Sequence, residues 1–213
     1  CRQRYDFIRI TPQVFTLILE DEKLWQRMLS GKMYNDLSSE LMRKRNDVVL
    51  LTNRYNRSYG EAQRVRESIL RDILGGMGEN VNFEPDFRCE FGSNIFIGNN
   101  FFANFDCVIL DCNRIVIGDN VLFGPRVGLY AGNHATHPED RVAGGCYSKP
   151  ITIGDNVWVG AGVHIMGGVT IGRNSIIGAG SVVTKDIPEN VIAAGVPCRM
   201  IREITEEDRN PDF

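Results

Sequence analysis

The chain has 213 residues, 43% hydrophobic and 24% charged, the balance of a soluble globular protein of one or two domains. Twenty-four Lys and Arg against 27 Asp and Glu give a net charge of −3, which argues against a nucleic-acid or anionic-membrane binder. No apolar run approaches the roughly 18 residues of a membrane span. No secretory signal is read at the start, and six cysteines (1, 89, 107, 112, 146, 198) form neither a CxxC pair nor a zinc spacing, so reduced thiols in a cytoplasmic protein are expected.

Residues 1–76 read as a helical domain. Tyr5, Phe7, Ile8 and Ile10 suit a short strand. Leu24, Trp25, Met28 and Leu29 form an apolar stripe on a helix that Gly31 ends. A second helix is predicted from about Ser39 to Asn53, with Leu41, Val48, Leu51 and Thr52 on one side. Ser58-Tyr59-Gly60-Glu61 has the form of a capping box opening a third helix, which stops at Gly75-Gly76.

From residue 95 the period changes to six. Aliphatic positions recur at 153, 159, 165, 171, 177 and 183, and upstream at 97, 103 and 109, then 117, 123 and 129. Six fits neither a helix nor a simple strand; it fits a chain that turns a corner every six residues, three sides to a coil. Gly, Asn and Asp after the aliphatic residue suit corners with left-handed backbone. The step from 109 to 117 is eight, which places a two-residue insertion at Asp111-Cys112. Residues 130–150 carry no hexad and should leave the coil as a loop. The expected layout is a β-helix over 77–204 and a tail over 205–213.

These hexads resemble those of the hexapeptide-repeat acyltransferases. Three further segments narrow the likeness to the maltose and galactoside O-acetyltransferases: Leu29 to Asp36, Asn133-His134-Ala135-Thr136-His137-Pro138, and Val183 to Pro188 with Ala194 to Arg199. The resemblance implies a mainly β fold, a left-handed parallel β-helix behind an N-terminal helical segment. It also implies acetyl-CoA as co-substrate, a sugar-like acceptor, no required metal, and a homotrimer with active sites between subunits.

Acyl transfer to a hydroxyl needs a base near neutral pH, and two of the three histidines lie in the loop. The match makes His134 that base, with His137 supporting or neutral; His164 precedes inward Ile165 and should face outward. It makes the backbone N–H of Ala161 the oxyanion donor. Asp36, Asn104 and Asp111 become acceptor contacts, although Cys112 stands where galactoside relatives carry a second acidic residue. Trp158, Ala161, Ala179, Thr184, Lys185 and Arg199 become CoA contacts, the last two offering charge to phosphate. Cys146 has no evident paired base and reads poorly as a nucleophile. Two other readings stay open at this point: a zinc enzyme of the γ-carbonic anhydrase type, and a silent β-helix scaffold.

Overall fold

The computed structural model describes residues 12–212, with side chains from residue 21 onward. The strand expected within residues 5–10 lies outside them. Helices α1 (Pro12–Leu29), α2 (Ser39–Arg57) and α3 (Gln63–Ile73) precede a three-sided coil. No described helix is long and apolar enough to cross a membrane.

Three parallel ladders form the coil. Face one stacks Met77, Ile97, Ile117, Ile153 and Ile171, and a bridge continues it to Ile187. Face two stacks Phe83, Ala103, Phe123, Val159, Ile177 and Ala193. Face three stacks Cys89, Ile109, Leu129, Ile165 and Val183. Every hexad position read from the sequence points inward and is buried. Each fully buried aliphatic side chain contributes about 1.5–3 kcal/mol of transfer free energy. The repeat starts one coil earlier than read: Met77, Phe83 and Cys89 are already in phase, before a second eight-residue step to Ile97.

Corner one, between faces one and two, carries an asparagine ladder. Asn80, Asn100, Asn120, Asn156, Asn174 and Asn190 all have φ between 56° and 60°. Each donates from Nδ2 to Oδ1 of the next at 2.7–3.0 Å. Asn tolerates this left-handed backbone at the least cost after Gly, and its amide satisfies its neighbours along the axis.

The helices close the starting end of the coil. The Tyr55 hydroxyl donates to the Phe83 carbonyl and accepts the Phe83 N–H, at 3.0 and 3.1 Å. Asn56 clamps both backbone groups of Phe87. Beneath them Phe83, Phe87, Phe101 and Phe123 pack ring on ring, centroids 4.0–5.1 Å apart. Helix α2 runs four residues past the expected Asn53 because Tyr55 and Asn56 dock there.

The capping box expected at Ser58 is absent. Ser58 instead ends α2: its N–H donates to Arg54 and Tyr55, and its hydroxyl donates to Tyr55. Gly60, at φ 90°, turns the chain, and α3 starts after Ala62 without a side-chain cap. The described cysteines are all free thiols.

Candidate active site

Residues 131–149 leave corner three, between faces three and one, as a two-stranded hairpin rather than an irregular loop. Its strands are Gly132–His134 and Gly145–Ser148, with the short helix α4 (Pro138–Val142) at the tip. Tyr34–Asn35, just after α1, pairs antiparallel with the returning strand. The Asp36 N–H donates to the Gly144 carbonyl at 2.8 Å. The Ser148 hydroxyl donates to the Met28 carbonyl at 2.7 Å, tying the end of α1 to the hairpin root. This three-stranded sheet brings together segments about 100 residues apart in sequence.

The product is a pocket of about 100 Å³ walled by Asp36, Glu90, Cys112, Asn133, His134 and Cys146. His134 is exposed, and its Nδ1 lies 3.0 Å from the Cys146 Sγ, a cross-strand neighbour. Burial and the nearby Asp36 charge push the Cys146 thiol up to about 11. Burial and Glu90 push Cys112 up to about 12. Both therefore stay neutral thiols near neutral pH. Arg45 on α2 pairs with the carboxylates of Asp36 and Glu90 and donates to the Asp36 carbonyl at 3.0 Å. Neither Glu90 nor Arg45 was legible as a site residue. Glu90 lies in the corner insertion that follows Cys89, which only the early first coil reveals.

Asp111 corrects the expectation of an acceptor contact. Its side chain is 0% exposed. Oδ1 accepts the N–H groups of Glu90 and Phe91 at 3.0 and 2.8 Å, and Oδ2 accepts that of Asn94 at 3.2 Å. It pins one eight-residue corner onto the next and does not face the pocket. Burial raises its carboxyl to about 6 against the opposing pull of these bonds.

The remaining candidates lie elsewhere on the coil. Asn104, Ala161 and Ala179 follow face two, on corner two. Ala161 is exposed, and its N–H has no acceptor among the described residues, while its carbonyl takes the Gly180 N–H at 2.8 Å. Pro125, one coil away, fills the equivalent place, so the coil itself does not need an N–H there. Thr184 and Lys185 are exposed on corner three, beyond the hairpin; Arg199 is exposed on the antiparallel strand that edges face two. Trp158 is 52% exposed on face two, in register with Leu122. His164 faces outward as expected, its Nδ1 3.1 Å from the Tyr130 hydroxyl. His137 caps α4 from the exposed hairpin tip without a side-chain bond. Among the described residues, the pocket that holds His134 does not reach the Ala161 corner.

A parallel β-helix capped by helices, with a histidine hairpin at one corner and an open backbone donor at another, defines a hexapeptide-repeat acyltransferase. Residues 150–185 match the family described as bacterial transferase hexapeptide (six repeats), and residues 27–78 match the maltose acetyltransferase hexapeptide capping motif. The galactoside O-acetyltransferase of Escherichia coli K12 is 49% identical over 188 residues, covering 88% of this chain and 93% of that one. A solved galactoside acetyltransferase in complex with coenzyme A superposes with TM-score 0.84 at 48% identity, covering 89% and 95%. A hexapeptide-repeat acetyltransferase from Vibrio cholerae O1 biovar eltor, complexed with acetyl coenzyme A, gives 0.77 at 35%, covering 85% and 98%. The chain belongs to the maltose and galactoside O-acetyltransferase family, and it is an acetyl-CoA-dependent acyltransferase. Family membership, not the histidine count, sets aside the zinc-enzyme and scaffold readings.

Proposed function

We propose that the chain transfers acetyl from acetyl-CoA to a hydroxyl of a sugar or sugar-like acceptor by direct attack, with His134 as general base. The observation that carries this reading is the sheet that sets His134 beside Asp36 in one pocket. Nε2 of His134 takes the hydroxyl proton as the oxygen attacks the thioester carbonyl, and later returns it to the departing CoA sulfur. Holding both substrates together removes the need for an acetyl-enzyme. The free Ala161 N–H suits the tetrahedral oxyanion. Asp36 and Asn104 hold the acceptor, while Trp158, Ala179, Thr184, Lys185 and Arg199 line the CoA path, Lys185 and Arg199 toward phosphate.

The working site is shared between copies of a homotrimer. Two features support this. The His134 pocket, about 100 Å³, is far below the roughly 300–1,000 Å³ of a complete ligand site. An apolar outer stripe of Phe102, Leu122 and Trp158 also runs along face two beside corner two, surface that cyclic association buries.

The test is CoA release from acetyl-CoA across a panel of sugars, wild type beside His134→Ala. Acceptor-dependent release that falls by roughly 100-fold or more supports the base assignment. Release unchanged in the variant removes it.

A further inference from the structure

The pocket beside His134 carries a charge that acetyl transfer alone does not require. Asp36 and Glu90 both line it, and among the described residues neither a Lys nor an Arg does. Arg45 is the cation paired with them: its Nε meets Glu90 Oε1, and its Nη2 meets Asp36 Oδ1. Its guanidinium lies over the Phe91 ring, 5.2 Å from the centroid, behind the pocket wall. Two carboxylates against one guanidinium leave a net −1 at the wall. The pairing engages one oxygen of each carboxylate, so Glu90 Oε2 and Asp36 Oδ2 remain for a ligand. Glu90 is also fixed in place, because its N–H is held by the buried Asp111 carboxylate at 3.0 Å. With side chains only 18–23% exposed, the three groups sit where solvent screens poorly.

We propose that Glu90 is a specificity-determining residue that makes this pocket select an acceptor carrying an ammonium beside its hydroxyls, over a neutral one, and reject one carrying phosphate. The proposal rests on the reading that this pocket takes the acceptor. A sugar ammonium meets Glu90 Oε2 as a charge-assisted hydrogen bond. A phosphate meets two carboxylates with no free cation lining the pocket among the described residues, and like charges brought together oppose binding.

The experiment compares glucose, glucosamine and glucose 6-phosphate with wild type and Glu90→Gln. Gln keeps an oxygen for Arg45 and removes only the charge. Two readings are taken: kcat/KM for CoA release, and affinity by titration calorimetry with CoA bound. Wild type is expected to favour glucosamine over glucose by about tenfold and glucose over the phosphate by at least as much. In Glu90→Gln both ratios shrink at least severalfold. Ratios identical in the two proteins overturn the proposal. A wild type that does not prefer glucosamine over glucose also overturns the proposal, a reading that needs no variant to fold. Absence of turnover with every acceptor defeats the acetyl-transfer reading of this pocket, while the calorimetric ratios still decide the role of Glu90.

Discussion

The Sγ of Cys146 lies 3.0 Å from Nδ1 of His134, on the strand paired with the one that carries the histidine. The sequence shows neither the hairpin nor the pairing, so the two residues read as unrelated. The thiol, raised to about 11, is neutral at working pH, and a neutral thiol is a poor nucleophile. Its place is beneath the proposed base. When Nδ1 donates its hydrogen to sulfur, the lone pair of Nε2 is left for the acceptor proton. Cys146→Ala is expected to lower kcat severalfold with KM for acetyl-CoA unchanged, and to broaden the pH profile. Cys146→Ser should restore most of the loss. A kcat and pH profile identical to wild type in the alanine variant would show that the contact does not position the base.

Asp111 ties stability to pH. Its folded value of about 6 lies above the ordinary 3.8, so the native state binds the proton more tightly than the unfolded chain does. Its contribution therefore rises as pH falls from about 6 toward 4, then levels off below the unfolded value. The size is on the order of 2–3 kcal/mol across that window. In denaturant melts, the stability difference between wild type and Asp111→Asn should change with pH between 4 and 6 and stay flat above 7. A difference that is flat throughout would mean that burial does not raise this carboxyl.

Asn120 separates backbone strain from side-chain bonding in the corner ladder. It accepts from Asn100 and donates to Asn156, both at 3.0 Å, with φ at 56°. Gly removes the two bonds but keeps the backbone; Ala also adds left-handed strain of about 1–2 kcal/mol. Thermal melts should rank wild type above Asn120→Gly, and that above Asn120→Ala. Equal melting of the two variants would show that strain plays no part.

The coil was legible because each inward side chain stacks on its equivalents one turn above and below, which enforces a strict period. The first turn is harder to read because Phe83 and Cys89 are followed by Glu84 and Glu90 rather than Gly, although their spacing of six is present. The site was less legible. His134 and Asp36 stood out through motifs, but Glu90, Arg45 and the Cys146 contact arise from pairings across long stretches of chain. Asp111 misled for the opposite reason: a polar residue in an insertion looks like a surface contact, yet two stacked insertions left three backbone N–H groups that needed a buried acceptor. Ser58 misled in the same way, since a hydroxyl that suits a helix start equally well terminates the helix before it.

The proposed shared site sets the His134 pocket of one subunit against the Ala161 corner of another. Two inactive chains, His134→Ala and Ala161→Pro, are co-expressed with different tags, and trimers holding both tags are purified. Proline removes the donor at a place where Pro125 shows the backbone accepts it. In a cyclic trimer of either mixed composition, one interface in three unites an intact histidine with an intact donor. Mixed trimers are expected to release CoA at about a third of the wild-type rate, while each variant alone stays near background. Mixed trimers as inactive as their parents would contradict it.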